Sequence, residues 1–180
     1  MRVSALNGTL GAVPAAEAGS STDEENTVWP THWPTIAREI ARVTETALSA
    51  ARTGDLPSFA DAVSDLVELP YEQVTAVHAG MMRELLEELH PDGLAGEDVQ
   101  AVFERCARGA VQAAPDALVA VLTGALGVTD PEAPKARPEQ YLSAGLVVLA
   151  DLAATRKVEP GPYVRRAIGE IERAETVEMP

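Results

Sequence analysis

Aromatic side chains are scarce, with only 4% of the 180 residues being Phe, Trp or Tyr. A core of ordinary density must therefore be filled by Ala, Val and Leu. Cys106 is the single cysteine, which excludes an intramolecular disulfide and fits a reducing compartment. Lysine occurs only at Lys135 and Lys157, and all basic residues together number 14 against 28 acidic ones, for a formal net charge of −14. Such a chain repels phosphate backbones and anionic bilayers, so no nucleic acid and no membrane is expected as a partner. Long apolar runs are missing too. Ala117–Val128 and Ala144–Ala150 are too short to span a bilayer, and the first residues lack the continuous apolar stretch of a secretory leader. The cytoplasm is the expected location. Strand formers are sparse. No Gly-rich loop leads into Lys-Ser/Thr, no G-x-G-x-x-G follows a strand, and no G-x-S-x-G elbow exists, so the commonest nucleotide-binding and hydrolase signatures are excluded.

What is present is helical. Hydrophobic residues make up 46% of the chain, enough for one globular domain. Ala is abundant and gives up least on entering a helix. Its abundance, with Arg far commoner than Lys, has the character of a high-GC bacterial genome. Acidic charge is concentrated early: residues 1–100 hold 17 acidic and 5 basic residues, and residues 101–180 hold 11 and 9.

Residues 1–26 combine Gly, Ala, Ser and Pro with the acidic run Asp23-Glu24-Glu25 and show no periodicity, which predicts a disordered acidic tail. A Trp/Pro lead-in follows over 27–34, then a single helical domain over 35–175 and a short C-terminal tail over 176–180. Apolar residues recurring every three to four positions between Pro and Gly breaks predict seven helices: Pro34–Arg52, Pro57–Leu69, a third from just after Pro70 to Leu89, Glu97–Ala113, Asp116–Leu126, Pro138–Arg156 and Pro162–Ala174. The first is expected to bury Ile36, Ile40, Val43, Ala47 and Ala51, and the second Phe59, Val63, Leu66 and Val67. The turn-rich stretch "GVTDPEAPKARP" separates the fifth helix from the sixth. Short connections imply an all-α, compact bundle. The sixth helix is apolar around almost its whole circumference, interrupted only by Ser143 and Asp151. It must be buried, either at the centre of the domain or by completion in a homodimer.

Two residue groups bear on chemistry. Glu87 and His90 have the Glu-x-x-His spacing of carboxylate-bridged metal sites. With Val74 at 0° and about 100° per residue, the apolar face of the third helix centres near about 20°, whereas Glu87 and His90 fall near about 220° and about 160°. Both look away from the core, and no metal or other cofactor is expected. His78 falls near about 40°, among Val77, Met81, Met82 and Leu85. Cys106 lies on the apolar stripe of the fourth helix with Val99, Val102, Phe103 and Ala110. If the third and fourth helices were antiparallel neighbours, His78 and Cys106 could form a nucleophile pair. A cysteine on such a stripe is more often an inert core residue. A ligand pocket lined by His78, Met81, Met82, Phe103 and Cys106 is the milder alternative, with the flexible methionines adapting to a guest.

Trp29 and Trp33 are the two tryptophans, and each is followed by Pro and Thr. They are expected either to staple the lead-in onto the bundle or to serve as a short motif that inserts into a partner. With no catalytic motif, the expected function is a non-enzymatic interaction or regulatory module acting through a protein partner or through self-association. The alternative is a small-molecule-binding helical domain with an apolar pocket near His78 and Met81. In broad architecture alone this resembles the ligand-binding helical halves of bacterial repressors, and the basic helix-turn-helix those proteins need is missing. An enzyme is the third reading.

Overall fold

A computed structural model describes residues 29–127 and 136–177, with side chains as far as Ala174. The expected tail over 1–26, most of the "GVTDPEAPKARP" loop and the last three residues lie outside the described residues. Within them the fold is all-helical: α1 Thr35–Thr53, α2 Leu56–Val67, α3 Tyr71–Leu89, α4 Gly96–Arg108, α5 Pro115–Ala125, α6 Pro138–Arg156 and α7 Gly161–Val177. No strand occurs among the described residues.

The breaks act through ordinary capping chemistry. Gly54 ends α1 in the left-handed region at φ 72°, where a side chain would be strained, and the next amide, Asp55 N–H, donates to Ala50 O at 2.9 Å. Asp55 in turn caps α2, its carboxylate accepting from Ser58 N–H at 3.2 Å and from the Ser58 hydroxyl at 2.7 Å. One glycine and one aspartate thus fold α1 and α2 into a tight hairpin. At α4 the Asp98 carboxylate accepts from Ala95 N–H at 2.9 Å.

Helix α4 stops at Arg108, well short of the expected Ala113, because Gly109 is extended (φ −63°, ψ 162°). In a continued helix Val111 would lie half a turn from Val102 and face away from the core. Unwinding at Gly109, a poor helix former, lets both Val102 and Val111 be buried. Two further expectations are corrected. Ile36, in the first turn of α1, and Val67, in the last turn of α2, are exposed, where the helix ends leave their stripes uncovered.

Helix α6 is the centre of the bundle. It packs against α1, α2, α3, α4 and α5, while α7 lies across α3 and α1. Leu142, Leu146, Leu149 and Leu152 are fully buried inside their own chain, so α6 needs no second copy to cover it. The crossing of α3 and α7 is close. A Cβ added at Gly80 would stand 3.2 Å from Ala167 Cβ, so glycine sets how near the two helices come.

Trp29 and Trp33 are ordered on this body. Both are buried, with 8% and 5% of their surface exposed, and their rings stack with centroids 5.8 Å apart. A turn between them is closed by Trp33 N–H donating to Pro30 O at 3.2 Å. The Arg165 guanidinium of α7 lies 5.9 Å from the Trp29 ring centre, a cation–π contact. The lead-in is therefore a staple that joins the entry of α1 to α7. Replacing Trp33 with Ala should lower the unfolding free energy by about 3 kcal/mol, the range for deleting a buried aromatic. Urea unfolding followed by far-UV circular dichroism checks this, and an unmoved midpoint would contradict the staple.

Candidate functional site

Among the described residues, two polar side chains are buried in the core, and they face each other. Thr44 lies on the apolar stripe of α1 with Ile40, Ala47 and Leu48, and is 0% exposed. His78 lies on the inner face of α3 with Val74, Met81 and Met82, and is 4% exposed. Thr44 Oγ1 and His78 Nε2 are 3.1 Å apart. Burial without a countercharge pushes the imidazole pKa down to about 4, so the ring is neutral at neutral pH. A neutral imidazole has one donor and one acceptor nitrogen. With Nε2 engaged by Thr44, Nδ1 remains. It stands 3.9 Å from where a Cβ would sit on Gly145 of α6.

That nitrogen borders a cleft of about 110 Å³ between α3, α5 and α6. From α3 it is lined by Thr75, His78 and Met82, and from α5 by Val121 and Gly124. From α6 come Tyr141, Leu142 and Gly145. Small residues make the space: Gly145 and Gly124 lack the side chains that would fill it. The Tyr141 hydroxyl lies at its α5 wall, 3.3 Å from the Cβ position of Gly124. The Thr75 hydroxyl donates back to its own helix, at 2.9 Å from Tyr71 O and 3.1 Å from Glu72 O.

Cys106 lies elsewhere. It lines a second, wider cavity of about 310 Å³ between the ends of α1 and α4 and the middle of α6, with Val147, Ala150 and Asp151 among the walls. At about 100° per residue, the α6 residues of the two cavities centre about half a turn apart, on opposite sides of the helix. His78 and Cys106 are therefore separated by α6 itself. The five residues expected around one pocket are distributed accordingly. His78 and Met82 line the first cavity and Cys106 the second, whereas Met81 is fully buried and Phe103 is half-buried against the core. The premise of neighbouring third and fourth helices fails because α6 comes between them; α4 packs on α6 and α5.

The Cys106 thiol is 2% exposed, and burial pushes its pKa up to about 12. Beside it, Asp151 of α6 and Arg105 of α4 form a two-pronged ion pair, with N···O distances of 2.8 to 3.1 Å. The pair raises the Arg105 pKa chiefly through the hydrogen bonds that Arg105 donates to Asp151. Asp151, the one charge within the apolar length of α6, is thereby neutralised at the rim. Further ion pairs tie helices and their ends together: Arg52 with Glu159, Arg156 with Glu88, and Arg166 with Glu84. Glu87 is exposed and His90 half-buried, with His90 Nδ1 3.4 Å from an Asp98 oxygen. Among the described residues no three His, Cys, Asp or Glu side chains gather where they could hold an ion. No described helix is long and apolar enough to cross a membrane.

Thr44, Tyr141 and Gly145 belong to this site and were not expected from the sequence. The signal for Thr44 was its place on the stripe of α1, between Ile40 and Leu48 at four-residue steps. No protein-family model matches the chain, and neither does any curated protein or solved structure, so no relative points to an enzyme or to any other activity.

Two measurements follow from these environments. Cys106 should react with a thiol reagent at least about 100-fold more slowly in the native protein than in urea, because the nucleophile is the thiolate and burial suppresses it; equal rates would contradict the buried placement. His78 makes stability depend on pH. In the unfolded chain an ordinary imidazole takes a proton near 6.5, whereas in the fold it does so only near 4. Between those values the unfolded state binds more protons, so stability is full above about pH 6.5 and falls as pH drops, by roughly 3 kcal/mol at most. Urea titrations at pH 7, 6 and 5 should show the fall, and Thr44→Val/His78→Leu should flatten it.

Proposed function

We propose that this chain is a non-catalytic, regulatory helical domain that binds a small and mostly apolar molecule in the cleft between α3, α5 and α6. The observation that carries this reading is the buried Thr44–His78 pair at the edge of that cleft. Burying polar groups costs stability, and an apolar pair of the same shape would have served the core as well. A polar nitrogen left beside an apolar cleft has a use if a guest completes its hydrogen bonding. Pockets of this kind are mostly apolar, with a few polar groups that orient the ligand. Binding between three helices also offers a route to regulation, since a guest that touches α3, α5 and α6 favours one packing of them.

Association through the lead-in has less support, because Trp29 and Trp33 are stacked and buried and offer little surface to a partner. A cytoplasmic setting, with a protein partner or second copy receiving the ligand signal, completes the proposal and is supported by the free buried cysteine and the acidic surface. The test is a fragment screen read by methyl NMR. Fragments of up to about eight heavy atoms should shift the methyls of Met82, Val121 and Leu142 while leaving Leu48 and Leu66, on the α1–α2 side, unmoved. A diverse panel that leaves the cleft methyls unmoved at millimolar concentration would sink the reading.

A further inference from the structure

We propose that the guest of the α3–α5–α6 cleft is a neutral, hydroxyl-bearing molecule of one-ring size, of the phenol class, held by a hydrogen bond between its hydroxyl and His78 Nδ1. This rests on the reading of the cleft as a binding site. It adds what the site selects.

Size sets the first limit. A cavity of about 110 Å³ is somewhat smaller than the roughly 150 Å³ that holds one benzene ring, so one ring and a single substituent fill it with slight adjustment of the walls. Met82 supplies the adjustment, since its unbranched thioether can change rotamer and meets ring edges favourably. A rigid ring also loses less freedom on binding than a flexible chain of equal volume.

Charge sets the second. None of the lining residues is Asp, Glu, Lys or Arg, and His78 stays neutral. An ionised guest would leave water without meeting a countercharge. A carboxylate or an ammonium ion is selected against on that ground alone.

Hydrogen bonding sets the third. Thr44 carries a hydroxyl, which donates or accepts. It can therefore pair with either tautomer of His78, receiving from Nε2–H or donating to bare Nε2. Nδ1 accordingly presents a lone pair or an N–H. A guest carbonyl suits only the N–H form. A guest hydroxyl suits both, and this match favours an alcohol over a ketone or an amide. The Tyr141 hydroxyl at the α5 wall is a second polar atom within reach of a guest hydroxyl in the cleft.

Phenol, toluene and benzoate separate these requirements, and titration against the native protein by methyl NMR at pH 7 reads them. Phenol should bind at least about tenfold tighter than toluene, the effect of one hydrogen bond, and benzoate should not bind. In Thr44→Val/His78→Leu, which removes both polar partners so that neither is stranded, the phenol preference should vanish while toluene binding survives. Gly145→Ala adds a methyl facing Nδ1 at an ordinary 3.9 Å contact and improves helix propensity, so it should raise Tm and weaken both aromatic guests. Toluene equal to phenol, a preference that survives the double variant, or benzoate as the tightest guest would overturn the ligand class while leaving the cleft as a site. Absence of any cleft shift with all three probes, or shifts undiminished in Gly145→Ala, would overturn the cleft itself.

Discussion

Helix α6 has no polar face, and the rest of the bundle is arranged around that constraint. A helix of this kind has no stable place on a surface, because any orientation would expose several leucines or valines. It has to be enclosed, and enclosure of one 19-residue helix takes α1, α2, α3, α4 and α5 together. The enclosing helices can be ordinary amphipathic ones, each with one stripe for α6 and a charged face for water. This explains how a chain with net charge −14 still builds one contiguous core. The single charge within α6 that could have disrupted the arrangement, Asp151, comes late in the helix and reaches the rim, where Arg105 meets it with two hydrogen-bonded nitrogens.

Enclosure by small residues has a second consequence. Ala144, Gly145, Ala150 and Ala153 let neighbouring backbones come near α6. Small side chains on a cylinder leave gaps wherever the facing helix is small too. Two such gaps among the described residues lie on opposite sides of α6. One is bordered by a neutral histidine that has an engaged hydroxyl behind it. The other is bordered by an inert thiol and a satisfied ion pair. They differ in chemistry as well as in volume. The charged walls of the larger cavity are paired, Arg105 with Asp151 and Arg52 with Glu159, whereas the smaller one is bordered by the neutral His78.

Most of the fold was legible because its punctuation is local. Pro70, Pro115 and Pro138 start helices, Gly54 ends one, and the boundaries of α6 agree with the periodicity to the residue. The failure at α4 is instructive, since the 3.6-residue pattern through Ala110 and Ala113 was genuine but weak. Burial of Val111 on the wrong side of that pattern outweighed it, and this depends on tertiary neighbours that periodicity does not contain. The site was legible in part. The helical wheel placed His78 inward, where it is. It could not reveal that Thr44, 34 residues earlier, would be the partner, because a threonine on an apolar stripe reads as a tolerated polar residue. Nor could it reveal that α6, far later in the chain, would come between His78 and Cys106. Order in sequence suggested neighbours, and the need to enclose α6 separated them.

The tryptophan staple belongs to the same account. A core of alanine and leucine around a central helix has broad, shallow openings at its ends, and a few large side chains cover such openings better than many small ones. Trp29 and Trp33 cover one near the start of α7, where Tyr163 and Val164 are also buried. Stacking the two indoles makes a plate from a stretch that has no helix of its own, and Pro30 and Pro34 limit the conformations it gives up on docking. The scarcity of aromatics and the placement of both tryptophans in the lead-in are thus two sides of one packing solution. Small residues make the helix crossings close, and the two largest side chains cover surface that the helices leave open.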